Sequence, residues 1–143
     1  MPADVFVDTN ILLYAISNRP EERNKTDVAR KILRTERWCW STQVAGEFFA
    51  NAVSSKRPFR ISAKEAASFV ETWLAFPMVS LTPDIVLDAM SIHQRFQLSY
   101  WDAVIVAAAK AISCHVVYSE DLSAGESYGR VQVVNPFALR NKN

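Results

Sequence analysis

Acidic residues border four of the most apolar segments of this chain. They are Asp8 after the run 5–7, Glu47 before Phe48 and Phe49, Asp102 before the run 103–109, and Asp121 after the run 116–119. A carboxylate beside so much apolar sequence must stay at an accessible edge, find a cationic partner or bear a large desolvation cost. The fold must therefore bury these apolar segments and still meet the needs of the four carboxylates.

Four carboxylates that meet in one place repel one another and need a compensating charge. Hard divalent cations with oxygen ligands supply that charge. If the four acids converge, the sequence therefore predicts a site for Mg²⁺ or Mn²⁺ that serves phosphate chemistry.

The composition is that of an ordinary globular protein. Half of the 143 residues are hydrophobic and 22% are charged. The apolar segment Val5–Ile16 is interrupted by Asp8 and follows no basic region, so we expect no secretion signal. The run 103–109 is too short to span a membrane, and Cys39 and Cys114 are expected to be reduced core residues. These features predict a cytoplasmic protein without membrane association.

The basic residues are unevenly distributed along the chain. The segment 19–60 holds 10 of the 16 lysines and arginines but only 5 of the 15 acids. A basic flank beside an acidic site can steer a polyanion towards metal ions. The same residues can equally form a solvated helix face, so the asymmetry supports a nucleic-acid substrate without requiring one.

Short apolar runs alternate with longer amphipathic segments. We predict strands at Asp4–Val7, Trp38–Trp40, Met78–Leu81, His115–Ser119 and Arg130–Val134. We predict helices at Ile11–Ser17 and Thr26–Thr35, from Ser41 or Thr42 to Ser54, from the capping box Ser62-x-x-Glu65 to Phe76, from Thr82 to Phe96, and at Tyr100–Ile112. This alternation favours a mainly parallel sheet with helices on both faces. Functional groups of such sheets gather beyond the carboxyl ends of the strands, where all four acids can meet.

Each acid taken alone also has an ordinary structural explanation. Ser99-x-x-Asp102 is a capping-box pattern, and Asp8 can cap the helix that follows it. Asp121 can form an Asx-turn in the loop 120–129, and Glu47 can form a surface ion pair. One metal site accounts for all four acids at once, which is why we prefer it.

The motifs around these acids resemble those of the PIN-domain nucleases. They are Val5-Phe6-Val7-Asp8-Thr9-Asn10, the helical Glu47, Tyr100-Trp101-Asp102-Ala103 and Ser119-Glu120-Asp121-Leu122, and the closing Val133-Val134-Asn135-Pro136-Phe137 is similar to bacterial VapC-type toxins. Each motif alone is weak, but they occur in order from Val5 to Phe137. The resemblance implies a single PIN-like nuclease domain over residues 1–143, with a three-layer α/β/α sandwich and a mainly parallel central sheet.

The resemblance also implies roles for individual residues. Asp8, Glu47, Asp102 and Asp121 are expected to be the catalytic acids, and Asp8, Asp102 and Asp121 are expected to bind Mg²⁺ or Mn²⁺. Supporting roles are implied for Thr9, Asn10 and Ser119, and a contribution of Glu120 is left open. The implied activity is metal-dependent cleavage of RNA by the toxin of a type II toxin–antitoxin pair. The implied partners are an RNA substrate, a cognate antitoxin protein and a second copy in a homodimer.

Three other functions can be weighed on the same residues. A phospho-acceptor receiver domain needs paired acids after the first strand and a lysine after the last, and neither is clear here. A phosphatase of the haloacid-dehalogenase type needs a second aspartate where Asn10 stands. A non-catalytic RNA-binding or interaction module is the remaining alternative, and the intact set of acids argues against it.

Overall fold

A six-stranded sheet forms the centre of the fold. The computed structural model describes residues 3–123 and 125–139. The strands are β1 (Val5–Val7), β2 (Trp38–Ser41), β3 (Met78–Val79), β4 (Val116–Tyr118), β5 (Ser127–Tyr128) and β6 (Val131–Val134). Their order is β3-β2-β1-β4-β6-β5, and every pair is parallel except β5 with β6. The predicted mainly parallel sheet is confirmed.

Helices cover this sheet to give the predicted α/β/α sandwich. They are α1 (Thr9–Ala15), α2 (Arg23–Thr35), α3 (Thr42–Ala52), α4 (Ala63–Trp73), α5 (Pro83–Phe96), α6 (Tyr100–Ala111) and α7 (Pro136–Leu139). Helix α1 packs on α2 and α3, α3 packs on α4, and α5 packs on α6. No helix in the described ranges is long and apolar enough to cross a membrane.

Side-chain caps fix where most of these helices begin. Ser41, Thr82 and Ser99 each accept a hydrogen bond from a backbone N–H in the first turn of the next helix. Ser62 and Glu65 form the complete predicted capping box at the start of α4. Each cap is worth about 1 kcal/mol, so local sequence sets these boundaries.

Aromatic side chains fill the core beside β2. Trp38 and Trp40 are fully buried, and Trp38 stacks on Phe76 with ring centroids 4.2 Å apart. Trp73 packs edge-on against both tryptophans. Cys39 on the same strand is buried and free, as is Cys114.

Several predicted boundaries were wrong. The first helix starts at Thr9, because the Asp8 carboxylate caps it directly, and it ends at Ala15. The expected connection before the second helix contains a 3-10 turn, Pro20–Glu22, and the helix itself begins at Arg23. The fourth helix ends at Trp73. Propensity does not locate helix ends to better than a few residues.

Strand β5 was not predicted. It lies within the loop expected after Glu120 and pairs antiparallel with β6, with Tyr128 opposite Val131. The two-residue connection begins with Gly129 at a φ of 65°, the positive value that tight hairpins favour. A two-residue strand is too short to show an alternating pattern, so only pairing reveals it.

Candidate active site

The four acids line one cavity at the carboxyl edge of the sheet. Asp8 follows β1 and Asp121 follows the adjacent β4, while Asp102 comes from the first turn of α6 and Glu47 from the middle of α3. The cavity has a volume of about 220 Å³. Its other lining residues are Thr9, Asn10, Leu13, Gln43, Asn51, Trp101 and Ile105.

Asp8 is the most buried of the four acids. Its side chain is 9% exposed, and its two carboxylate oxygens accept hydrogen bonds from Thr9 N–H and from the Ser119 hydroxyl, each at 2.7 Å. Burial raises the pKa of this carboxyl, and the charges of Asp121 and Asp102 add to the rise against the lowering effect of the two hydrogen bonds. A cation placed here would relieve that desolvation and repulsion.

Ser119 joins the first and last acidic motifs. Its fully buried hydroxyl donates to Asp8 and accepts from Asp121 N–H at 3.2 Å and Leu122 N–H at 3.1 Å. One hydroxyl therefore fixes both the Asp8 carboxylate and the turn that carries Asp121.

Asn10 strengthens the same connection. Its amide N–H₂ donates to Asp121 Oδ2 at 3.2 Å and to Ser119 Oγ at 3.3 Å, and its carbonyl accepts from Glu120 N–H at 3.2 Å. The expected supporting residues Asn10 and Ser119 are thus in direct contact with the acids. These bonds hold together segments more than 100 residues apart in sequence.

Asp102 is only half engaged in a helix cap. Its backbone N–H donates to Ser99 Oγ at 3.2 Å. In the capping box of α4, Glu65 returns a bond to Ser62 N–H at 3.1 Å, whereas no such bond joins the Asp102 carboxylate to Ser99 N–H. The carboxylate of Asp102 therefore forms no hydrogen bond in the cap, and the residue lies in the wall of the cavity.

Glu47 lines the same cavity and is the exposed acid of α3. Its Oε1 accepts from Gln43 Nε2 at 3.0 Å, one helical turn earlier. Partial burial raises the pKa of Glu47, and the negative charges of Asp8 and Asp102 raise it further. The charges of Asp8 and Asp102 therefore act on Glu47 although neither residue belongs to its helix.

Glu120 points away from the acid cavity. Its Oε1 accepts from the Tyr14 hydroxyl at 2.6 Å, and its Oε2 pairs with the Lys25 ammonium. The ammonium also lies 5.0 Å from the centre of the Tyr14 ring and 5.8 Å from that of Phe137. Glu120 thus anchors the turn before Asp121 to α1 and α2, and it is not positioned to bind a metal ion with the other acids.

The donor set suits a hard divalent cation. Carboxylate, amide and hydroxyl oxygens line the cavity, and these are the ligands that Mg²⁺ and Mn²⁺ prefer. Two buried oxygens beside the acids, Thr9 Oγ1 and Gln43 Oε1, lack a hydrogen-bond partner and could be satisfied by a hydrated ion. Within the described residues, no group of three or more acidic, histidine or cysteine side chains is already close enough to hold a metal ion. Mg²⁺ keeps several waters, so few direct protein ligands suffice.

Comparison with known families decides the classification of the chain. A family model described as PIN domain matches residues 5–124. The chain belongs to the PIN domain family. The match includes all four acids of the cavity, and it confirms the resemblance stated from the sequence motifs. No curated protein sequence matches this PIN domain significantly.

Solved structures share the PIN domain fold at low sequence identity. The Mycobacterium tuberculosis toxin VapC20, described as cleaving the sarcin-ricin loop, aligns with a TM-score of 0.66 at 18% identity, over 84% of this chain and 92% of its own. A toxin–antitoxin complex from Klebsiella pneumoniae aligns with a TM-score of 0.63 at 22% identity, over 93% and 98%. DNA-bound VapBC from Salmonella typhimurium aligns with a TM-score of 0.63 at 20% identity, over 92% and 96%. These alignments support the fold along most of the chain.

Five lining residues of the cavity escaped the sequence prediction, namely the aliphatic Leu13 and Ile105 and the more informative Gln43, Asn51 and Trp101. Gln43 and Asn51 flank Glu47 at intervals of four residues and share its helix face; Asn51 Nδ2 donates to Glu47 O at 2.8 Å. That spacing was a usable signal. Trp101 is adjacent to Asp102 in sequence, but adjacency on a helix does not reveal whether a side chain faces the same cavity.

Proposed function

We propose that this PIN domain is a metal-dependent endoribonuclease and the toxin of a type II toxin–antitoxin pair. The observation that carries the proposal is the meeting of Asp8, Glu47, Asp102 and Asp121 at one cavity. RNA cleavage by the purified protein that stops when EDTA removes divalent ions tests it. The toxin part draws support from the solved relatives, two of which are described as a toxin or a toxin–antitoxin complex.

Asp8, Asp102 and Asp121 would hold Mg²⁺, with Mn²⁺ as a substitute. When bound, such an ion neutralises charge on the phosphate and lowers the pKa of a coordinated water. Ser119 and Thr9 N–H keep the Asp8 carboxylate oriented, and Asn10 does the same for Asp121. This outer support matters because a ligand held in place loses little freedom on binding.

Glu47 is suited to orient the attacking water. It is exposed in the cavity wall, and its raised pKa makes its carboxylate a better proton acceptor than an ordinary glutamate. Gln43 restrains it through the bond to Oε1. We therefore assign Glu47 a role in water positioning or proton transfer, with contact to the ion directly or through water.

Metal binding is expected to depend on pH through Asp8. Because burial raises the pKa of Asp8, the metal-free folded protein takes up this proton more readily than the unfolded chain. The charge therefore destabilises the metal-free fold fully above the raised pKa, and this penalty shrinks as the pH falls from the raised pKa to the ordinary pKa of an aspartate, below which it is absent. Since a divalent ion requires the ionised carboxylate, Mg²⁺ should raise the melting temperature more at about pH 8 than at about pH 5. Thermal unfolding with and without Mg²⁺ measures this, and equal shifts at both values would contradict it.

Basic residues of α2 are expected to guide RNA to the site. Lys31 and Arg34 are exposed, whereas Arg30 donates from Nε to Ala15 O at 2.8 Å and so has a structural bond of its own. Replacing Lys31 and Arg34 by glutamine should weaken RNA binding and flatten the slope of log affinity against log salt by about 1.4, since each lost contact to single-stranded nucleic acid removes about 0.7. Binding measured over a range of salt concentrations checks this.

The matched control for that experiment removes the same charge elsewhere. Lys64 and Arg95 are exposed basic residues outside the basic segment. Their double glutamine variant should keep the wild-type salt slope. If the α2 variant also keeps it, the basic flank is only a solvated helix face.

The proposed protein partner is a small antitoxin. A groove of about 580 Å³ lies between α2 and α4. It is lined by Ala15, Ile16, Asn18, Arg30, Leu33, Arg34, Phe59, Ile61, Glu65, Phe69 and Trp73. An amphipathic partner helix fits such a groove, and an arginine or lysine from the same peptide could enter the acid cavity in place of a metal ion.

Other apolar residues near this groove are not available to a partner. Ala29 and Ile32 of α2 both belong to the core. Phe48 of the Glu47 helix is also fully buried. The groove uses Leu33 at one edge and Phe69 of α4 at the other. A homodimer remains part of the proposal, and Leu87 and Met90 offer an exposed apolar face on α5 for it.

A further inference from the structure

Trp101 is an exposed aromatic residue in the wall of the acid cavity. Its side chain is 58% exposed, next to Asp102 in the first turn of α6. The cavity that it lines also holds the four acids. The three other tryptophans of the chain, Trp38, Trp40 and Trp73, are at most 8% exposed. A large apolar side chain is therefore left in water at the candidate active site.

The position of Trp101 is well defined. The Tyr100 ring contacts it edge-on, with centroids 4.9 Å apart and an interplanar angle of 73°. Gln43 Nε2 reaches the Trp101 carbonyl oxygen at 3.5 Å, and the Ser99 cap fixes the start of its helix. An indole on a capped helix turn can receive a flat partner without first being ordered itself.

We propose that Trp101 is a stacking platform for an unpaired base of the nucleic-acid substrate and contributes directly to substrate affinity. This inference rests on the nuclease function proposed above and names a residue that positions the substrate at that site. Aromatic side chains bind unpaired bases by stacking on their exposed faces, whereas the bases of a duplex already cover one another.

The surroundings of Trp101 favour a nucleotide over an apolar protein segment. Among the other lining residues of the cavity, Leu13 and Ile105 are aliphatic, and the rest carry carboxylates, amides or a hydroxyl. A nucleotide offers a flat face to the indole and hydrogen-bonding edges to amides such as Asn51. Its phosphate would be repelled by the acids alone and would therefore require a cation held by them. An apolar peptide would leave the polar groups of this wall without partners.

Tryptophan fluorescence tests the platform because only Trp101 is exposed among the four tryptophans. In stopped-flow mixing with Mg²⁺, an unpaired RNA oligonucleotide should quench the solvent-exposed emission before any product forms. The same oligonucleotide annealed to its complement, or inorganic polyphosphate, should quench it much less. Equal quenching by all three would overturn the proposal, since charge alone would then explain the signal.

Variants separate stacking from other roles of this surface. Trp101→Ala should abolish the quenching and raise the half-saturating concentration of unpaired RNA by roughly tenfold or more, with little change in kcat or Mg²⁺ affinity. Trp101→Phe should restore most of the binding. Leu74→Ala, which removes an exposed apolar side chain outside the cavity and outside the proposed partner surfaces, should behave as wild type.

Two results would contradict the stacking role. One is a Trp101→Ala protein that binds unpaired RNA normally; if it also loses its self-association, Trp101 is a protein-contact residue. The other is an equal loss of affinity for paired and unpaired RNA. Quenching of the Trp101 fluorescence reports RNA binding and can be measured whether or not the RNA is cleaved. A protein that shows the selective quenching without cleavage would therefore support the platform and contradict the nuclease.

Discussion

Asp8→Asn and Asp102→Asn should each reduce RNA cleavage by at least about 100-fold, as losses at a metal site can. Asp8 is held by Ser119 and Thr9 N–H, while the Asp102 carboxylate lies in the cavity wall. Each replacement removes a negative charge that a bound cation needs. Single-turnover cleavage at saturating Mg²⁺ measures the effect, and undiminished cleavage in both variants would reject the site.

Stability measurements distinguish this role of Asp102 from a capping role. The charge of Asp102 helps to raise the pKa values of Asp8 and Glu47, so its removal relieves repulsion in the metal-free protein. Asp102→Asn should therefore leave the metal-free melting temperature unchanged or raised. A large fall would show that the carboxylate stabilises the helix start. Asp84→Asn, an exposed acid in the first turn of α5, is the matched control for activity and should cleave as wild type.

Expression of the protein alone should arrest bacterial growth, and co-expression with the small open reading frame next to its gene should restore growth. The proposed physical reason is competition at the acid cavity, where a cationic side chain from the antitoxin would replace the metal ion and exclude RNA. The two proteins should also co-purify as a complex. Growth curves and affinity purification measure both effects.

The Asp102→Asn variant is the control for that experiment. It should be tolerated without the neighbouring protein yet still form the complex, since the groove between α2 and α4 is unchanged. Harmless expression of the wild-type protein with no co-purifying neighbour would remove the toxin assignment. The nuclease assignment would stand on its own evidence.

The sequence predicted those features of the fold that local patterns determine. Asp8 ends an apolar strand, Ser62 and Glu65 form a capping box, and strands alternate with helices; each of these is visible in a short window of residues. The meeting of the four acids follows from topology, because the carboxyl ends of adjacent parallel strands share one edge. This is why widely spaced acids could be expected in one place.

Features that depend on distant partners were not predictable. Glu120 and Asp121 are adjacent acids, yet Glu120 turns to Lys25 and Tyr14 while Asp121 faces the cavity. Nothing in the local motif indicates that these two side chains point in different directions. Similarly, the capping-box pattern at Asp102 could not show that only half of the box forms, and β5 exists only through its pairing with β6.

The most direct test is incubation of the purified protein with structured and unstructured RNAs, with Mg²⁺, with Mn²⁺ and with excess EDTA. Metal-dependent hydrolysis at the acid cavity predicts internal cleavage with either ion and none with EDTA, and restored cleavage when the ion is added back. Asp102→Asn, purified in the same way, should show no such restoration. Cleavage that continues in EDTA, or that the Asp102→Asn protein performs as well as wild type, would contradict a nuclease built on these four acids.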